Sequence, residues 1–144
     1  MYALVFAGKI KSTDTSSDKA KSFANIIKSY ELSKGALVEG YLGVNPNAIG
    51  PVISAYGIDI KSYLGSKGQI EFESVCKNLG SKQMAILCYW FIGSNGPRGH
   101  YIAITKTGTT YNLINDDAGT TTSIKDFLRS NASRGFIQGW IINI

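Results

Sequence analysis

The stretch QMAILCYWFIGSNGPRGHYIAITKTGTTYNLINDDA, residues 83–118, constrains the fold more than any other part of the chain. It holds three apolar, β-prone runs: Met84 to Ile92, Tyr101 to Thr105 and Tyr111 to Ile114. SNGPRG and KTGTT separate them, and both are rich in residues that reverse a chain. The stretch therefore reads as a three-stranded antiparallel meander. In a meander, the start of the second strand and the end of the third lie at one edge. His100, the single histidine of the chain, opens the middle strand, while Asp116 and Asp117 close the third. A lone imidazole and a carboxylate are thereby expected side by side.

The flanks read mostly as helix. Residues 1–11 suggest a short first strand, and Ser17 or Asp18 can cap the segment after it. Lys19 to Leu32 reads as an amphipathic helix, with Ala20, Phe23, Ile26, Ile27 and Tyr30 at three- and four-residue spacing and Gly35 as its stop. IGPVISAYGI suggests a short helix entered through Gly50-Pro51, because proline suits a first turn. IDIKSYLGS adds a further short element. Gln69 to Leu79 reads as a helix with Ile70, Phe72, Val75, Cys76 and Leu79 on its apolar side and Gly80 after its end. Beyond the meander, Thr120 to Ser123 caps the helix SIKDFLRSN. FIQGWIINI then alternates like a strand, with Phe136, Gln138, Trp140, Ile142 and Ile144 on one face. Helices first and a mostly antiparallel sheet afterwards make the class α+β.

With 144 residues, 44% hydrophobic and 17% charged, the chain suits a single domain with a real core. It divides into an N-terminal helical segment, 1–46, and a core, 47–144. No apolar run reaches the ~18 residues of a membrane span. The apolar opening MYALVFAGKIK lacks a basic leader and a small-residue cleavage pattern, so no signal peptide is expected. The net charge of +5 is compatible with a polyanionic partner such as nucleic acid. Cys76 and Cys88 form no disulfide framework and read as reduced, partly buried thiols. One histidine and no paired cysteine motif leave a metal few ligands, and neither a metal nor another cofactor is expected.

His100 is the first candidate for chemistry. Its plain reading is a structural histidine bonded to a neighbouring backbone or carboxylate group. Its functional reading is a general base, with Asp116 fixing the ring and stabilising imidazolium. Asp117 reads as a turn residue, and Asn115 as a loop hydrogen bonder. Lys82, Arg98, Lys106, Lys125, Arg129 and Arg134 all fall in the C-terminal half. Converging, they make an anion-binding rim, of which Arg98 and Lys106 are the named candidates; scattered, they are solvated charges. Tyr101 offers a hydroxyl beside His100, against the plainer reading of β-propensity. Tyr89, Trp90, Phe91 and Trp140 read as core or interface aromatics, with base stacking open to any that is exposed.

From about Asn47 onward these motifs form an ordered series. IGPVISAYGI, GQIEFESVCKNLG, MAILCYWFI, GHYIAIT, YNLINDDAG and SIKDFLRS succeed one another in an arrangement that resembles the papain-like fold of the bacteriocin-processing cysteine peptidases linked to ABC transporters. GHYIAI followed by INDDAG carries the resemblance best. One departure matters for function. Ile49 stands before Gly50-Pro51, where that family has its catalytic cysteine, and Gly43 stands where an oxyanion-binding glutamine would be. Isoleucine supplies neither a thiolate nor a donor.

The expected activity is therefore that of a metal-independent ribonuclease, in which RNA's own 2′-hydroxyl attacks and no enzyme nucleophile is needed. The chain looks like a small toxin domain of the contact-dependent inhibition and polymorphic toxin systems. That resemblance implies an acidic immunity protein as partner, and delivery or secretion into the cytoplasm of a target cell. The alternatives are a cysteine peptidase using Cys88 or Cys76 with His100, and a non-catalytic peptide- or protein-binding pseudo-peptidase.

Overall fold

In the computed structural model, residues 2–9, 11, 13, 17–18, 21–22, 25, 45–94, 96–129 and 134–144 are described. They fall into two compact units, residues 1–60 with Ile144, and residues 61–143. In the first unit the opening apolar run is not a strand. It forms helix α1 (Tyr2–Phe6), continued by bonds from Ala7 N–H to Ala3 O at 3.0 Å and from Lys9 N–H to Leu4 O at 2.8 Å. An apolar run this short carries no period that separates helix from strand, and alanine and leucine tip the balance. The helix expected over Lys19 to Leu32 lies largely outside the described residues.

Helix α2 (Pro46–Ser54) begins four residues before the expected entry at Gly50-Pro51. The Asn45 side chain accepts from Asn47 N–H at 2.9 Å, and Pro46 fills the first turn, where its missing N–H costs nothing. Pro51 instead sits inside the helix. Ala48, Val52 and Ile53 are its buried residues, and Ile49 is half-buried.

The second unit carries the sheet. β1 (Asp59–Leu64) starts at the boundary between the units and is followed by helix α3 (Gly65–Cys76). Next come β2 (Gln83–Gly93), β3 (Gly96–Thr107), β4 (Thr110–Ile114) and the two-residue β5 (Thr120–Thr121). Helix α4 (Ile124–Arg129) and β6 (Arg134–Asn143) complete the chain. The sheet has six strands in the order β1-β6-β2-β3-β4-β5. The expected meander is its β2-β3-β4 portion, antiparallel throughout, and β6 inserts beside β2, also antiparallel. The molecule is α+β.

Alternation along β2 sorts the side chains onto two faces. Ala85, Leu87, Tyr89 and Phe91 share one face with His100, Ile102 and Ile104 of β3, and α3 and α4 contribute Phe72, Cys76, Ile124, Phe127 and Leu128 to the same apolar cluster. Met84, Cys88, Tyr101, Trp140 and Ile142 lie on the other face, where Trp140 stacks on Tyr101 with centroids 6.4 Å apart. The inward stripe of α3 is Gly68, Phe72 and Cys76. Ile70, expected on that stripe, is 69% exposed, because two helical positions turn it about 200° away from Phe72. α4 is capped as expected: Ser123 Oγ accepts from Asp126 N–H at 3.1 Å.

The pairing of β6 with β2 shifts at Cys88/Tyr89. Cys88 faces Gln138, but Tyr89 faces Phe136, leaving Ile137 as the extra residue of a bulge. Phe136 accordingly meets Phe72 at 5.7 Å on the helix-covered face. The expectation that it shares a face with Gln138, Trp140 and Ile142 is thus corrected. Among the described residues, no helix is long and apolar enough to cross a membrane.

Candidate active site at the His100 end of the sheet

β3 begins at Gly96, so His100 lies inside that strand rather than opening it. It is paired with Tyr89 of β2, and two positions back Arg98 is paired with Phe91. Phe91 is paired on its other side with Arg134 of β6. Cross-strand neighbours point to the same face. One end of the helix-covered face therefore carries an imidazole, a phenol, a phenyl ring and two guanidinium groups.

The ring of His100 is half-buried between aromatic edges, with Tyr89 at 5.6 Å and Phe91 at 6.2 Å, both near-perpendicular. Its Nε2 lies 2.5 Å from the backbone carbonyl oxygen of Asn115. A carbonyl only accepts, so Nε2 carries the proton. In the neutral ring Nδ1 is then the basic nitrogen, and it meets no hydrogen-bond partner among the described residues. This ring can take a proton at Nδ1 without rearranging its support.

The carboxylate of Asp116 does not hold the imidazole, as the sequence suggested it would. Asp116 Oδ2 accepts from the Tyr89 hydroxyl at 2.6 Å, and its Oδ1 accepts from Ala118 N–H at 2.8 Å. The physical reason is the turn after β4. Asn115 adopts a φ of 76°, so its own carbonyl reaches His100 and the next side chain passes over to β2. Burial first, then the hydrogen bond to Asp116 and the negative charge of that carboxylate, push the Tyr89 phenol well above its ordinary pKa. Tyr89 consequently stays protonated and donating.

Arg134 is half-buried, with its guanidinium carbon 4.6 Å from the Phe127 ring centroid and 5.5 Å from that of Tyr89. Two ring faces hold it in place. It makes no ion pair among the described residues, so its N–H groups remain available to an anion. Arg98 is exposed and likewise unpaired among the described residues.

The other named candidates are elsewhere. Lys106 lies on β3 six positions beyond His100, about 20 Å away along a strand. There it sits over the Tyr111 ring at 5.8 Å and donates to Lys77 O at 2.5 Å. Tyr101 follows His100 in sequence and so faces the opposite side of the sheet, where its hydroxyl bonds Cys88 and its ring stacks on Trp140. Asp117 is exposed in the turn. Ile49 belongs to α2 in the other unit.

Neither thiol suits nucleophilic work. Cys88 is 1% exposed, and alternation puts it on the face away from His100. Burial raises it to about 11, against a lowering by the Tyr101 hydrogen bond. Cys76 is fully buried, and burial with the nearby Glu73 charge raises it to about 12. Among the described residues, no cluster of histidine, cysteine and carboxylate side chains could hold a metal ion.

Tyr89 and Arg134 are the site residues that sequence reasoning did not single out. Tyr89 could have been found from parity alone, since a strand that carries His100 over β2 must set one residue of β2 beside it. Arg134 was one of six cations in that half of the chain, and nothing in the spacing distinguished it. No protein-family model, curated protein or solved structure matches the chain.

Proposed function

We propose that this chain is a metal-independent ribonuclease of the small toxin-domain kind, built on a papain-like scaffold without its cysteine, with His100 as the general base. The observation that carries this reading is the bare Nδ1 of His100 on a sheet face shared with Arg98 and Arg134. Self-cleavage of RNA needs a base for the 2′-hydroxyl and positive charge for the phosphate as its oxygens gain negative charge. His100 Nδ1 takes the proton, the 2′-oxygen attacks phosphorus, and Arg134 and Arg98 bind the phosphoryl oxygens. The Tyr89 proton is committed to Asp116, so the departing 5′-oxygen takes its proton from water. The net charge of +5 favours a polyanionic substrate, and by the same complementarity an acidic immunity protein would cover this face. The ordered motifs around Gly50-Pro51, Gly99-His100-Tyr101 and Asn115-Asp116 support the papain-like scaffold and, with it, delivery of the chain into a target cytoplasm.

Total RNA incubated with the purified chain in the presence of a chelator tests the proposal. Loss of RNA with 2′,3′-cyclic phosphate ends is expected, and His100→Ala should slow it by about 10²–10⁴-fold. RNA that stays intact, with or without added cell extract, overturns it.

A further inference from the structure

We infer that Tyr89, Asp116 and Asn115 form a positioning relay that fixes which nitrogen of His100 is basic. The chain of contacts is continuous. The Tyr89 hydroxyl donates to Asp116 Oδ2 at 2.6 Å, and Asp116 Oδ1 accepts from Ala118 N–H at 2.8 Å. Gly119 N–H closes the same turn on the Asp116 carbonyl at 3.1 Å. Asn115, between Asp116 and the end of β4, is the one described non-glycine residue at positive φ, a conformation asparagine tolerates better than most. Its side-chain Nδ2 donates to Tyr101 O at 2.9 Å, which ties the turn to the strand that bears His100. With side chain and turn both tied, the Asn115 carbonyl has one place to point, and Nε2 of His100 is there.

The acid of the relay thus acts at a distance from the ring. A carboxylate in direct contact with imidazole would orient it and also stabilise its cation. Asp116 here needs only to hydrogen-bond the Tyr89 hydroxyl and Ala118 N–H. That difference separates the two roles experimentally: asparagine keeps one acceptor oxygen for Ala118 N–H, turns its NH2 to the Tyr89 hydroxyl, which can accept as well as donate, and loses the charge. Tyr89, Asp116 and Asn115 touch no reacting atom in this scheme and are positioning residues. Their consequence for catalysis rests on the ribonuclease reading above, but their effect on the ring does not.

The single histidine of the chain makes the ring directly observable by ¹⁵N NMR of the intact protein. The neutral ring of the unmodified chain should be in the Nε2–H tautomer. Tyr89→Phe, Asp116→Ala and Asn115→Ala should each mix the two tautomers, whereas Asp116→Asn should retain Nε2–H. RNA cleavage should follow the same order, with a loss of about ten- to a hundredfold for the first three variants and a smaller loss for Asp116→Asn. Asp116→Ala, in an exposed turn, serves should Tyr89→Phe fail to fold. An Nδ1–H ring in the unmodified chain, or a tautomer indifferent to all three substitutions, overturns the relay. Equal loss in Asp116→Asn and Asp116→Ala overturns it as well, in favour of a charge effect. Tautomers that shift as expected in a protein inert towards RNA would uphold the relay and sink the ribonuclease reading alone.

Discussion

At the scale of single residues, burial decides what the two sulfurs can do. Thiolate is the reactive form, and a thiol held at about 11 or about 12 yields almost none at neutral pH. Iodoacetamide at pH 7.5 should leave both Cys76 and Cys88 unlabelled in the folded chain and label both in urea; rapid labelling of either in the native state would contradict this. The same shifts fix a pH dependence. Both folded values lie above the ordinary thiol value of 9.0, so between the two values the unfolded chain has lost a proton that the native chain keeps. Stability from these groups is complete below about 9 and declines as pH rises towards 11 and 12. His100 was legible in the sequence as the only imidazole, and its nearness to the turn after β4 followed from the meander. Its true partner was not legible, because the carbonyl that holds it belongs to the backbone of Asn115, and backbone direction depends on a φ that no residue pattern states.

At the scale of elements, the sheet and its helices are locked by contacts that leave no space for a methyl group. A Cβ on Gly139 would lie 2.4 Å from Phe72 Cδ2, and Phe72 is itself fully buried. Gly139→Ala should therefore destabilise the protein by about 1–3 kcal/mol through overpacking, read as a lower urea midpoint at unchanged m-value. Gly99 meets nothing within 4 Å, so Gly99→Ala is the matched control, expected within about 0.5 kcal/mol of the parent. Equal effects at the two positions would refute the packing account. The three meander strands were legible because alternation and turn residues agree there. Helix α3 is legible but begins earlier than its pattern shows, since Gly65 and Gly68 are poor helix formers; at Gly68 the Tyr63 backbone fills the space that a Cβ would take. α1 was not legible, because its five residues carry no period that separates helix from strand.

At the scale of the whole molecule, charge is the property that reaches furthest. Two guanidinium groups at one end of the sheet should release counterions when they meet a single-stranded phosphate backbone. The slope of log affinity against log salt should be about −1.4 for two such contacts, and Arg134→Gln should flatten it by about 0.7. Binding of RNA by the inactive His100→Ala chain, titrated at several salt concentrations, checks both numbers; a slope indifferent to Arg134 would remove that residue from the phosphate. The α+β class and the antiparallel sheet were legible from the order of elements. The insertion of β6 between β1 and β2 was not, because strand order is a long-range property that adjacent residues do not encode.

The bulge in the last strand has a consequence for how this site can change. Gly139 and Ile141 serve the helix side with odd numbers, yet Arg134 and Phe136 serve it with even ones, and Ile137 is the unpaired step that switches the count. Were the strand paired without the bulge, Ile137 opposite Tyr89 and Arg134 opposite Ile92, the guanidinium would face the reverse of the sheet, leaving the imidazole with Arg98 alone although every functional side chain were still present. In this strand loss of the bulge with every residue kept would do more harm than a substitution, because which side the charge faces is set by counting.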